Sequence, residues 1–408
     1  MWPATETGGR APAGVDVVRT ADVIVVGAGI VGLSTAYQLA RDGARVTVLE
    51  RRDVAAGTSG ACDGNIMVQS KRPGLVLELA KASAAMYPEL LDEIGGDIEY
   101  ERKGSLMVFE NEDDLEVLTP VIAGQRAAGL DVQLLSPAEA AEIQPGIAEH
   151  VIHATYLATD ASIDQLALCF TLARAGRARG VEIDLGANVS DPIVERGAIA
   201  GVRTDRGDVL ASAVVLAAGV WTPTIAASLG LKLEIVPRKG HILVTEKWPA
   251  LVRTALLSPS YVRHKHEVNA STTLSGKESV SFSLHQSRTG TCFIGSSREF
   301  AGFDDSTSGE VVDAMAQAAV RMFPGVANVR ILRSFAGLRP YTPDGKPIVG
   351  AVSSYPGLYV AAGHEGDGIA LGPITGRIVA DLVSERRPAW DLSSLSPDRF
   401  VERHAAAV

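Results

Sequence analysis

The 408-residue chain sets 38 basic against 48 acidic side chains, a net charge of -10 that leaves no electrostatic footprint for a nucleic-acid backbone. Its 46% hydrophobic content excludes global disorder, and its length allows two or three domain-sized units. Three widely spaced cysteines, Cys62, Cys169 and Cys292, form neither a C-x-x-C pair nor a disulfide framework, so no metal site is indicated and a reducing, cytoplasmic setting is expected.

Residues 1–20, rich in Gly, Ala, Pro and Thr, lack the basic start and apolar core of a secretory leader and read as a flexible tail. No apolar run reaches the roughly 20 residues that a bilayer crossing needs. Asp22 to Val26 reads as a buried parallel strand, followed at once by Gly27, Gly29 and Gly32 in G-x-G-x-x-G spacing. The first glycine permits the turn, the second lets backbone approach a pyrophosphate, and the third lets the helix pack on the strand. A helix starts at Ile30, Gly43 closes it, and a strand from Arg45 to Leu49 delivers Glu50 and then Arg51. Backbone N–H groups at that helix start form an anion site, and Glu50 stands where a carboxylate accepts ribose hydroxyls. The geometry is a dinucleotide's; the motif does not separate NAD(P) from FAD, since both present an ADP moiety.

The stretch after Arg51 is long and rich in small and polar residues, which suits a functional loop. In it Thr58, Ser59, Gly60, Gly64 and Asn65 offer hydroxyls, an amide and bare backbone to a phosphate or a flavin edge. Helices are expected at 74–95, 113–129, 137–143 (capped by Ser136) and 161–180, strands within 98–110 with a turn at Lys103-Gly104, and a strand at Val181–Leu185. Hairpins from Val189 to Ala211 lead to a further buried strand, Ala213 to Gly219, whose terminal Ala218-Gly219 falls at the ligand-binding edge of a nucleotide sheet. Residues 230–303 alternate as antiparallel strands do. A helix at Gly309–Met322 precedes AGLRPYTPDGKPIVG, whose prolines imply irregular backbone around Arg339. A strand over 357–363, the turn His364–Gly368 and a helix from about Ile369 to Ser384 repeat the strand, glycine turn and helix pattern.

On DVIVVGAGIVGLSTAYQLA with Glu50, the Thr58-Ser59-Gly60 segment, VVLAAGVWT, AGLRPYTPDGKPIVG and GLYVAAGHEGDGIALGPITGRIVADLV, the chain resembles the FAD-dependent D-amino-acid oxidase and glycine/sarcosine oxidase family. The forms ACDGN, KGHILVTE, GSSREF and GHEGDGI look most like FAD-bearing β subunits of proline, hydroxyproline and opine dehydrogenases. The resemblance implies an α/β fold, α+β overall. A Rossmann-like FAD domain would be assembled from 21–80, 151–225 and 330–408, and a substrate domain with an antiparallel sheet from 81–150 and 226–329. It implies non-covalent FAD, because the Leu338-Arg339-Pro340 turn carries no cysteine, and oxidation of a C–N bond of a small amino acid by hydride transfer to flavin. Proline, hydroxyproline, sarcosine and glycine are the substrates it favours.

By the same resemblance Arg339 grips the substrate carboxylate and His364 lies beside the flavin ring. Tyr341, His241 and His285 are further candidates for the pocket wall. Flavin contacts fall on Val189, Ala218, Gly219, Gly366, Asp367, Gly368 and Ile369, beyond those of the first motif. Oxygen, a quinone or dye, or a partner subunit would take the electrons, which leaves homo- and hetero-oligomers open. The alternatives are an FAD subunit of a heteromeric amine or opine dehydrogenase acting mainly in electron transfer, and a D-amino-acid oxidase using oxygen.

Overall fold

The computed structural model describes residues 19–266 and 276–400; the tail expected at 1–20 lies almost wholly outside the described residues. A six-stranded sheet forms the nucleotide side in the order Ile348–Ala351, Leu358–Ala362, Ala213–Leu216, Val23–Val26, Val46–Glu50 and Glu182–Leu185, parallel except for its first strand. Helices cover it, so its strands are apolar on both faces: all of Val23–Val26 and Ala213–Leu216 is buried. Helix Ile30–Arg41 packs against helix Gly368–Val383, the two helices that follow the glycine turns. The expected hairpins form a smaller sheet of Gly207–Leu210, Ala198–Thr204 and Val189–Glu195, edged by Arg19–Thr20.

An eight-stranded sheet lies beside these layers, in the order Ile331–Tyr341, Val236–Lys247, Thr291–Ser297, Val280–Gln286, Ala255–Leu257, Ser105–Phe109, His153–Leu157 and Gln133–Leu135. Its first strand corrects the sequence reading: Gly337 to Tyr341 is regular strand, not irregular loop. Proline is tolerated there because Ile331–Tyr341 is the edge strand of the sheet and Pro340 turns its carbonyl outward to accept from the Glu365 N–H at 3.0 Å, so the N–H it lacks is not owed to Pro237 opposite. This sheet also takes Ile331–Tyr341 and His153–Leu157 from segments that the sequence boundaries placed on the nucleotide side.

Helix ends follow their caps. Helix Gln165–Ala178 begins four residues later than expected because Asp164 accepts from the N–H groups of Leu166 and Ala167, both at 2.9 Å, while Ala161–Ser162 pairs with Asn65–Ile66 as strand. Helix Pro137–Ile143 carries the reciprocal Ser136/Glu139 capping box. Between Ile98 and Phe109 only Ser105–Phe109 is a named strand. Among the described residues no helix is long and apolar enough to cross a membrane, and no His, Cys, Asp and Glu cluster suits a metal.

Candidate active site

The nucleotide end is built by the first βαβ unit. Gly27 turns with φ +109°, and a Cβ there would stand 2.6 Å from the Ala217 carbonyl oxygen, so the neighbouring strand leaves room for glycine alone. A Cβ on Gly32 would meet the Gly27 carbonyl oxygen at 2.0 Å; Gly32 therefore serves helix-on-strand packing and is not in the cleft wall. Glu50 accepts from the N–H of Ala28 at 2.9 Å through Oε2 and from that of Arg52 at 2.8 Å through Oε1. Each oxygen keeps a second lone pair for a ribose hydroxyl. The Ser59 hydroxyl accepts from the Ile30 N–H at 3.0 Å, and the Arg51 guanidinium lies 3.9 Å from the Trp221 ring centroid.

From Glu50 and Arg51 a continuous cleft runs past Gly27, Gly29, Ile30, Thr58 and Ser59, with Val189, Ala218 and Gly219 on its other side. It continues to His364, Gly366, Gly368, Ile369 and Arg339, enclosing about 1560 Å³ with its open mouth included. Its extent, from Glu50 at one end to Arg339 at the other, suits an elongated ligand such as a dinucleotide. Thr58 donates to the Leu338 carbonyl at 2.6 Å, which ties the loop of the nucleotide side to the strand that carries Arg339.

At the far end Arg339 reaches the cleft with a mostly buried side chain whose Nη1 donates to the Ser297 carbonyl at 2.8 Å. Its Nε lies 3.9 Å from Oε1 of Glu365, a carboxylate that also accepts from Arg238 and lies 3.7 Å from Nε of Arg298. Burial alone would raise the Glu365 pKa; Arg238, Arg298, Arg339 and Lys265 outweigh it and hold the carboxyl well below its usual range. Tyr261, on helix Pro259–His266, faces the same cleft, its phenol pushed up to about 12 by burial and therefore a hydrogen-bond donor. Asp63 is in the wall too, raised by burial and hydrogen-bonded to Asn65. His364 is neutral: burial lowers it to about 4, and its Nε2 lies 3.0 Å from the Thr375 hydroxyl.

Five other candidates lie away from the cleft wall. Tyr341 packs edge-on against Phe300 and under the Arg238 guanidinium at 4.5 Å, so it supports the arginine cluster from behind. Asp367 sits at the head of helix Gly368–Val383, bridging Lys71 at 2.8 Å and Lys265 at 2.6 Å, and Asn65 hydrogen-bonds Asp63 from the loop interior. His241 is enclosed in the eight-stranded sheet, Nδ1 2.7 Å from the Ser297 hydroxyl and Nε2 accepting from the Ser308 N–H. His285, named with it, stacks on Phe293 at 5.0 Å in the same sheet, also outside the wall. The sequence reading passed over Glu365, Arg238, Arg298, Tyr261 and Asp63. Strand alternation held the signal for one of them: Arg238, Gly240 and Ile242 share a face, and Ile242 lines the cleft.

A parallel sheet with a dinucleotide turn, joined by one cleft to a buried arginine on a second sheet, is the architecture of a dinucleotide-dependent oxidoreductase. The chain belongs to the DAO family of FAD-dependent oxidoreductases, whose profile matches residues 22–382. Glycine oxidase of Geobacillus kaustophilus is 30% identical over 93% of this chain and 97% of that protein. Hydrogen cyanide synthase subunit HcnC of Pseudomonas aeruginosa is 28% identical over 95% and 98%. The crystal structure of the Geobacillus kaustophilus glycine oxidase superposes with a TM-score of 0.85, covering 94% of this chain and 99% of that one at 28% identity. That of L-proline dehydrogenase from P. horikoshii also gives 0.85, at 25% identity and 95% and 99% coverage.

The residues present fit FAD. Gly27 has no space for a side chain, a Cβ on Gly29 would crowd the Ser59 hydroxyl at 3.1 Å, Glu50 has lone pairs to spare, and the cleft extends from Glu50 to the head of helix Gly368–Val383.

Proposed function

We propose that the protein oxidises the C–N bond of an amino acid, with a secondary or cyclic amine such as proline, hydroxyproline or sarcosine, or glycine itself, as the candidate substrates. The observation that carries this reading is Arg339, a guanidinium in the wall of the same cleft as the dinucleotide turn. We assign the six- and four-stranded sheets to the FAD domain and the eight-stranded sheet to the substrate domain. Bound FAD supplies a two-electron acceptor for hydride. Arg339 grips the carboxylate in a planar fork and thereby orients Cα–H, with Nη1 fixed on the Ser297 carbonyl. The substrate loses that hydrogen as hydride and a proton from nitrogen; the C=N product is hydrolysed by water or, in a ring, retained. His364, neutral above about pH 4, contributes shape rather than charge to the wall.

FAD is held without a covalent link. Cys62 lines the cleft, but burial pushes its thiol up to about 12, so almost none is the thiolate that a linkage would require. Acid precipitation should release FAD into the supernatant, and colour retained in the pellet would refute this. The three free cysteines also favour the cytoplasm.

Anaerobic mixing with a panel of amino acids tests the substrate, since loss of the oxidised-flavin absorbance reports hydride transfer without any acceptor. Arg339→Ala should lower kcat/KM by the roughly 2–5 kcal/mol of a charge-assisted bidentate contact, about 30- to several-thousand-fold, while oxidation of a decarboxylated amine stays nearly constant. Equal losses for both, with flavin content kept, would make Arg339 structural. A second reading, the FAD subunit of a larger complex, is favoured by the similarity to a synthase subunit. A lone chain active at its own molecular mass on size exclusion would dismiss it.

A further inference from the structure

Three guanidiniums share one carboxylate at the substrate end of the cleft. Glu365 Oε1 accepts from Arg238, lies 3.7 Å from Nε of Arg298 and 3.9 Å from Nε of Arg339. If the amino acid's carboxylate rests on Arg339, as proposed above, Arg298 is still under-compensated. Its side chain is buried and its Nε makes no hydrogen bond among the described residues. Nη1 reaches only two hydroxyls, Ser281 at 3.3 Å and Ser296 at 3.4 Å. The other carboxyl at this end of the wall, Asp63, hydrogen-bonds Asn65 and forms no ion pair with Arg298 among the described residues. Buried guanidiniums are ordinarily met by carboxylates in bidentate pairs; neutral hydroxyls at long range are what is left when the anion arrives from outside.

The place of that anion is defined by what stands between Arg298 and the cleft. Ser296 is a wall residue, and a hydroxyl that accepts from a guanidinium is a stronger donor to whatever lies in front of it. Tyr261 is the other wall residue, its ring 4.5 Å from the Arg298 guanidinium and its phenol protonated. Both Nε atoms lie within 3.9 Å of one oxygen, so the two guanidiniums are close neighbours and the carboxylates of one small diacid can reach both. We propose that Arg298, Ser296 and Tyr261 form a second anion subsite, and that the substrate is an amino acid with a second carboxylate close to its nitrogen, either on an N-carboxyalkyl group or on a short side chain. This rests on the assignment of Arg339 to the first carboxylate.

The test is anaerobic flavin bleaching of the holoenzyme by iminodiacetate, aspartate, sarcosine, glycine and proline, with Arg298→Met and Arg298→Lys variants. At least one diacid should bleach with a second-order rate constant about tenfold or more above the monoacids, the gain of one charge-assisted contact. Iminodiacetate leading assigns the carboxylate to the nitrogen substituent, and aspartate leading assigns it to the side chain. Arg298→Met should collapse the diacid-to-monoacid ratio, and Arg298→Lys should restore part of it. Diacids no better than monoacids, or a ratio unmoved in Arg298→Met, overturn the subsite and leave the amino-acid reading standing; bleaching by no amino acid overturns both. If Arg298→Met does not fold, titration of the wild-type holoenzyme with malonate and with acetate, followed in the flavin spectrum, decides. Malonate should bind at least about tenfold tighter, and equal affinities overturn the proposal.

Discussion

Arg339 can occupy the cleft because Gly240 presents no side chain in front of it. A Cβ on Gly240 would lie 1.8 Å from Nη1 and 2.3 Å from Cζ, so Gly240→Ala must displace the guanidinium from the Ser297 carbonyl. Since φ at Gly240 is ordinary strand backbone, the fold should survive the change and only the grip should fail. We expect kcat/KM for amino acids to fall toward the Arg339→Ala value, roughly 2–5 kcal/mol, with a carboxylate-free amine spared. Unchanged amino-acid kinetics would show that Arg339 adopts another rotamer without loss. At the opposite end of the cleft, Glu50→Ala removes the carboxylate we propose for the ribose and also frees the N–H groups of Ala28 and Arg52. FAD retention should weaken by about 1–3 kcal/mol, measured as the dissociation constant of released flavin. Full occupancy after extended dialysis would contradict the role.

Strands Val236–Lys247 and Ile331–Tyr341 pair with Arg238 directly opposite Arg339, a like-charge cross-strand contact that a sheet does not tolerate unaided. The turn His364–Gly368 supplies the remedy: the Glu365 N–H donates to the Pro340 carbonyl at 3.0 Å, and its carboxylate enters between the guanidiniums. Glu365→Gln should cost about 3–5 kcal/mol of stability, as for one partner removed from a buried charge cluster, read as a fall in the denaturation midpoint. Because the folded-state pKa of Glu365 is depressed, its contribution is present above the ordinary carboxyl range and is lost as pH falls through the folded value. The variant's stability should therefore lose part of the wild-type dependence on acid; parallel pH curves would dismiss the carboxylate's part.

Over the whole molecule, folding encloses imidazoles that must remain neutral. His241, His264 and His364 are each lowered from 6.5 to about 4, in every case first by burial. Between those pH values the unfolded chain binds more protons than the folded one, so stability rises with pH across the window and is lost on acidification. The melting temperature should fall steadily from about pH 6.5 to about 4. A flat profile there would mean that these rings are protonated in the fold. Lys265, lowered to about 8 by burial against the pull of Asp367, ties helix Pro259–His266 to the head of helix Gly368–Val383. The wall residue Tyr261 and the second glycine turn are thus joined by one ion pair across the two sides of the cleft.

The sequence by itself determined the nucleotide end, because that site is local: Gly27, Gly29, Ile30 and Glu50 lie within one βαβ unit whose periodicity, turn and acid follow one another along the chain. It also marked Arg339, which stands in a motif. What only the tertiary structure decided is the company Arg339 keeps. Arg238, Ser296, Arg298 and Glu365 come from two strands, the residue after one of them, and a distant turn, and no spacing along the chain reveals that they converge. Prolines misled locally at Pro340, which sits on an edge strand with its carbonyl turned outward to the Glu365 N–H, so the ladder does not need the donor it lacks. His241 bore the right chemistry on the wrong face of its strand, while Tyr341 shares the face of Arg339 but is taken up by Arg238 and Phe300; alternation assigns a side chain to cleft or core only once the neighbouring layer is known.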